Sequence, residues 1–155
     1  MGLVGEKMSG KNDILPRMVK DHYKIEELLD ELEEELKKGY PNMKKSFSRF
    51  EWELEKHIFV EERAVFTEYF PKDITEGYKM LPVVTKHHNF ILNKLNNWRE
   101  DVQNRRNITD ISELKDFLIK HREYEETELY PKLDQALDEE QKKHIIDRIE
   151  QIVEY

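Results

Sequence analysis

His57-Ile58-Phe59-Val60-Glu61-Glu62 recurs as His121-Arg122-Glu123-Tyr124-Glu125-Glu126. In an α-helix, two residues four apart stand about 40° apart around the axis and roughly 6 Å apart along it, on one face. Each hexapeptide therefore aims an imidazole and a carboxylate at one spot. The echo extends outward in both directions. Leu15-Pro16-Arg17-Met18-Val19-Lys20-Asp21-His22-Tyr23-Lys24-Ile25 aligns with Leu81-Pro82-Val83-Val84-Thr85-Lys86-His87-His88-Asn89-Phe90-Ile91, matching at Leu, Pro, Lys, His and Ile and setting Asp21 opposite His87. Downstream, His57 to Phe66 and Pro71 align with His121 to Tyr130 and Pro131. The chain reads as two copies of one helical hairpin, each carrying a His and then His-x-x-x-Glu.

A length of 155 residues fits one domain with a real core. Charged residues make up 39% and hydrophobic ones 37%, with five Gly and five Pro, a balance that favours helices with solvated faces over a turn-rich sheet. The net charge of -8 argues against nucleic acid or an anionic membrane as partner, since both demand a basic surface. The absence of cysteine excludes disulfides, thiolate zinc sites, iron–sulfur clusters and thiol catalysis. No apolar run approaches 18 residues, the start has no signal-peptide character, and position 6 lacks the Ser or Thr of a myristoylation site. The expected setting is cytoplasmic, with residues 1–11 as a flexible arm and the folded unit spanning 12–155.

Apolar positions spaced by threes and fours define each helix. The first seam is Leu15, Met18, His22, Ile25, Leu29, Leu32 and Leu36, with Asp13 as N-cap, Pro16 in the first turn, and Gly39-Tyr40-Pro41 as the stop. The second is Met43, Phe47, Phe50, Leu54, His57, Glu61 and Val65, ending near Phe70-Pro71. Asp73-Ile74-Thr75-Glu76 reads as a capping box, although Gly77 and Pro82 leave the start of the third helix open. Its seam runs Leu81, Val84, His88, Ile91, Leu95, Trp98 and Val102, with His87 on the flank. After a turn at Asn104-Arg105-Arg106-Asn107, Asp110 and Glu113 cap a fourth helix with seam Ile111, Leu114, Leu118, His121, Glu125 and Leu129, and Pro131 marks its end or a kink. A short C-terminal helix over about 138–154 carries Ile145, Ile149 and Ile152. It is free to lie across the bundle or to bind a second copy, so the oligomeric state stays open.

The expected fold is all-α: an up-down-up-down antiparallel four-helix bundle with a short extra C-terminal helix. Residues equidistant from a hairpin turn share a level. The midpoint of His22 and His57 falls at Gly39-Tyr40, and that of His88 and His121 at Asn104-Arg105, both at expected turns. Four imidazoles and two carboxylates should therefore converge in one layer. Seam positions are roughly two in seven of a helix, so six polar residues reach them by chance about once in two thousand. A lone core histidine is ordinarily just hydrogen-bonded, and the bland reading of the set is buried His–Glu ion pairs. Unpaired buried carboxylates cost several kcal/mol, however, and no Lys or Arg occupies these seam positions. A bound cation satisfies all six groups at once.

The donor set, His22, His57, Glu61, His88, His121 and Glu125, is too large for one tetrahedral zinc and by ligand type suits iron, manganese or zinc. The repeat points to two metals, His22 and His57 on one, His88 and His121 on the other, bridged by Glu61 and Glu125. Positions remain for an oxo or hydroxo bridge and an exogenous small molecule. The Glu-x-x-His of ferritin-like di-iron proteins is absent, since no histidine has a Glu three residues before it. Tyr23, Tyr124 and Trp98 are candidate neighbours, with aromatic packing their ordinary role; His144, outside the repeat, belongs to the surface or to helix packing.

Over about residues 12–131 these motifs resemble the hemerythrin-like (HHE cation-binding) family. The resemblance implies a non-haem di-iron centre with the four histidines as terminal ligands, Glu61 and Glu125 as bridges, and oxygen or another small diatomic as ligand, for sensing, storage or protection. Two departures stand out. Oxygen carriers of the family have a second histidine four residues from the first on the third helix, whereas here Val84 and Leu92 flank His88 at that spacing. Their last carboxylate lies five residues after His, which here is Glu126. Glu62, Glu126 and His87 are thus substitute ligands, and the metals are more open than in carriers. The alternatives are a di-iron oxidase, peroxidase or nitric-oxide-directed enzyme, and an iron-dependent regulatory module. No acid–base residue beyond the ligands is evident, which favours binding over catalysis.

Overall fold

The computed structural model describes residues 12–68 and 74–153, the last with backbone alone over 74–79. The expected arm at 1–11, the helix end at Phe70-Pro71 and the capping residue Asp73 lie outside the described residues. The rest is helical, with no strand among the described residues: α1 (Ile14–Leu36), α2 (Tyr40–Val60), α3 (Ile74–Gln103), α4 (Ile111–Tyr124), α5 (Tyr130–Ala136) and α6 (Glu139–Val153). Single π turns, Glu61–Val65 and Glu125–Leu129, prolong α2 and join α4 to α5.

The helices form because the apolar seams are continuous and their faces are clad in ion pairs. Lys24–Glu53 (3.1 Å) and Arg49–Glu31 (2.8 Å) link α1 to α2, and Arg99–Glu51 (2.6 Å) links α2 to α3. Lys94–Glu113 (3.2 Å) links α3 to α4, and Lys115–Asp30 (2.6 Å) returns from α4 to α1. Lys24–Glu53 with Arg49–Glu31, and His22–Glu125 with Lys115–Asp30, each pair a higher number on α1 with a lower one on α2 or on α4 and its π turn. Of the expected seams, every position on α2, α4 and their π turns is buried, as are all but the end residues Leu15, Leu36 and Leu81 on α1 and α3.

Several local expectations are corrected. Asp13 stands at the start of α1, but its carboxylate reaches Lys142 Nζ (2.6 Å) instead of the helix end. The Asp134 carboxylate takes that end from across the molecule, accepting the N–H groups of Ile14 (2.8 Å) and Leu15 (3.0 Å). Asp110 likewise makes no side-chain cap and has a left-handed backbone (φ 63°). Pro41 opens α2 in its first turn, following Gly39 at φ 115°, a conformation that favours glycine. Pro82 lies inside α3, which starts at Ile74.

The core is divided. Toward the hairpin turns, one apolar cluster gathers Leu29, Leu32, Phe47, Phe50, Leu95, Trp98 and Leu114. Trp98 donates to the Thr109 carbonyl (3.0 Å) and Tyr40 to that of Val102 (2.6 Å), closing this end. Toward the other end, Ile14, Met18, Val60, Val65, Val84, Leu129, Leu133, Ile145 and Ile149 form a second cluster. Here α6 packs into the cluster with Ile145 and Ile149 fully buried. Each large apolar side chain so buried contributes about 1.5–3 kcal/mol. Between the two clusters lies a polar layer.

Candidate metal centre

His22, His57, Glu61, His88, His121 and Glu125 make up that layer, and all six are buried, the two glutamates completely. They fall into two overlapping groups: His22, His57, Glu61 and Glu125, then Glu61, His88, His121 and Glu125. Within each group one donor atom per residue lies within 4.8 Å of all the others. Donors about 2 Å from an ion stand about 4 Å apart on its opposite sides, so each group closes on one ion with small movements. Glu61 and Glu125 belong to both groups.

The inward nitrogens face these carboxylates. His22 Nε2 is 2.9 Å from Glu125 Oε1, and His88 Nε2 is 3.0 Å from Glu61 Oε1. His57 Nε2 is 3.4 Å from Glu61, and His121 Nε2 is 3.3 Å from Glu125. The outward nitrogens have partners that also follow the repeat. His22 Nδ1 meets Glu126 (2.7 Å) as His88 Nδ1 meets Glu62 (2.8 Å). His57 Nδ1 faces Asp21 (3.5 Å), while His121 Nδ1 meets His87 Nδ1 (2.8 Å). Thus Glu62, Glu126 and His87, expected as substitute ligands, stand behind the imidazoles and not among the inward donors. Such outer partners fix ring orientation and raise the basicity of the inward nitrogen.

The electrostatics are those of a crowded ion-pair layer. Burial alone would lower the His22 pKa, but the Glu125, Glu61 and Glu126 carboxylates outweigh it and raise it to about 9. His57 and His88 are also raised against their burial, chiefly by Glu61. Burial would raise Glu125, yet the imidazoles of His121 and His22 hold it well below the usual carboxylate range. Burial, then His121, lowers His87.

Ion pairing does not satisfy the layer. Both ring nitrogens of His57 and Glu125 Oε2 are buried without a properly aligned hydrogen bond. Buried polar atoms left this way each forfeit about 1–3 kcal/mol. His57 Nε2 and Glu125 Oε2, both on the inward side, are donor atoms of the kind a metal site uses, and the residues present fit one.

Two features were not anticipated. Both π turns begin at the shared glutamates, with Phe66 N–H bonding the Glu61 carbonyl (2.8 Å) and Tyr130 N–H that of Glu125. Such turns recur at functional sites because they turn side chains off the regular helical faces. Tyr130, fully buried, donates its hydroxyl to Glu61 Oε2. It aligns in the repeat with Phe66, which instead stacks on His88, with ring centroids 6.3 Å apart. Of the expected aromatic neighbours, Tyr124 contacts the His87 ring (5.7 Å), Tyr23 is 68% exposed, and Trp98 belongs to the apolar cluster at the turns.

Among the described residues no helix is long and apolar enough to cross a membrane. No curated protein matches the chain, and no solved structure does. A family model described as the hemerythrin HHE cation binding domain matches residues 13–133, the span that supplies every member of the layer. The chain belongs to the hemerythrin HHE cation-binding domain family.

Proposed function

We propose that this protein is an up-down-up-down antiparallel bundle holding two iron ions, and that it binds oxygen or a related small diatomic in the cytoplasm. The carrying observation is the pair of donor groups that share Glu61 and Glu125. His22 and His57 would hold one ion, His88 and His121 the other, and the two carboxylates would span both. The opposed pairings along adjacent helices support the bundle topology, which brings every histidine to one level. When bound, the iron pair supplies open coordination positions and the capacity to exchange electrons with a ligand.

The protein's own part is to orient, shield and balance charge. Glu62, Glu126 and Asp21 stand behind three of the imidazoles and His87 behind the fourth. Tyr130 fixes one oxygen of Glu61. A void of about 20 Å³, lined by His22, His57, His121, Ile25, Leu54 and Leu118, adjoins the layer. About 10–15 Å³ admits one water-sized molecule, so the space is large enough for a diatomic, and Ile25, Leu54 and Leu118 give it an apolar side.

Iron-replete protein should carry about two irons per chain, with a near-ultraviolet band from the coupled ferric pair that responds to oxygen or nitric oxide. Because both ions would lean on Glu61, Glu61→Ala should lose both together. Metal-free protein from such a preparation overturns the reading, and steady consumption of peroxide or nitric oxide by the parent would replace binding with catalysis.

A further inference from the structure

The sequence repeat duplicates the histidines behind the two-metal reading, and it nearly duplicates what stands behind them. His22 with Glu126 and His88 with Glu62 are equivalent, imidazole on carboxylate at 2.7 and 2.8 Å. Their effects on the two ions cancel. His57 and His121 differ: the first faces the Asp21 carboxylate, the second the His87 imidazole. Asp21 and His87 are opposite one another in the repeat, each immediately before its helix's own inward histidine.

We infer that the two metal positions are unequal, the His88/His121 position being the weaker and more readily exchanged, because His87 stands where the other copy has Asp21. The inference rests on the two-metal reading. A carboxylate that faces the outward N–H of an imidazole, as Asp21 does for His57 at 3.5 Å without an aligned hydrogen bond, adds a negative charge to offset the ion. A neutral imidazole can accept the same proton through Nδ1 only by carrying its own on Nε2, and it adds no charge. His87 is held in that pose by edge contacts with the rings of Phe117 (5.5 Å) and Tyr124 (5.7 Å). It acts through His121, as a positioning residue. Exchanging such an outer partner typically changes metal affinity about 10–100-fold.

The test uses the full chain freed of metal by chelation and titrated with Zn²⁺. Calorimetry gives the two stepwise affinities, and imidazole nitrogen resonances show which histidines respond to the first equivalent. In the parent, His22 and His57 should respond first, with the second ion about 10–100-fold weaker or more. His87→Asp should strengthen the weak step, Asp21→His should weaken the strong one, and the double exchange, which conserves total charge, should reverse the filling order. Should His87→Asp fail to fold, Asp21→His carries the comparison from a side chain that is one-third exposed. Two zinc ions filling in the parental order in the double exchange, with affinities unmoved in the single variants, would overturn this inference alone. A parent chain that takes up no ion would bring down the two-metal reading and this inference with it.

Discussion

Freed of metal, the protein should lose stability as the solution is made alkaline between about pH 6.5 and 9. The His22 pKa is about 9 in the folded chain against an ordinary 6.5. A raised histidine contributes stability that is fully present below its unfolded pKa and lost as pH rises through its folded one. At about 1.4 kcal/mol per pH unit between those values, His22 alone accounts for about 3 kcal/mol, and His57 and His88 are shifted in the same direction. In a domain of this size, about 2–4 °C per kcal/mol makes that a fall of about 6–12 °C in melting temperature. The assay is a set of thermal melts, followed by helical circular dichroism, on chelated protein at pH 6.5 and 9.5. Saturating Zn²⁺ should reverse the trend in its own increment. An ion binds neutral imidazoles and must displace their protons, so the roughly 2.7 kcal/mol expected at a hundredfold excess over Kd grows with pH as fewer protons remain. A metal-free melting temperature that is flat or rising from pH 6.5 to 9.5 would refute the account of the layer as carboxylate-held imidazolium.

Two substitutions test the surroundings of that layer. Tyr130→Phe removes a buried hydroxyl from Glu61 and should cost about 2 kcal/mol in urea denaturation of the metal-free protein; an unchanged midpoint would show that the contact contributes nothing. Lys142→Ala strips the Asp13 carboxylate of the ammonium that ties α6 to the start of α1, and should cost about 3 kcal/mol while making α6 more sensitive to limited proteolysis. Parental resistance and stability would show that Ile145 and Ile149 dock the helix unaided.

The seams were legible because a helix buried on one side must repeat its apolar residues every three or four positions. Polar residues that keep that rhythm, as His57 and Glu61 do after Leu54, must enter the core with the rest. Equal distance from short turns then put His22 level with His57 and His88 level with His121, with ring centroids 4.8 and 5.4 Å from their neighbours His57 and His121. What escaped depended on contacts distant in the chain or on departures from regular backbone. Asp134 caps a helix more than a hundred residues earlier, and no local pattern announces it. In a regular α-helix Tyr130, five residues past Glu125, would point about 140° away from it. The π turn closes an i to i+5 bond and brings the phenol back toward the layer, so uniform periodicity necessarily misplaces it.

The placement of the layer explains how the fold tolerates it. Taking six ionisable side chains out of water in one slice of a bundle carries a desolvation cost, yet apolar clusters above and below each close their own end, one with Trp98 and Phe50, the other with α6 packed with Ile14 and Val65. The chemistry can therefore sit where it is most sheltered without having to hold the helices together. The two copies then need not remain identical. They agree at every inward donor and differ around it, Asp21 against His87 and Phe66 against Tyr130, and each difference touches an imidazole or carboxylate of the layer. Packing alone asks for neither six ionisable groups at the centre of a repeat nor differences confined to the groups beside them, whereas the proposed pair of ions with unequal affinities accounts for both.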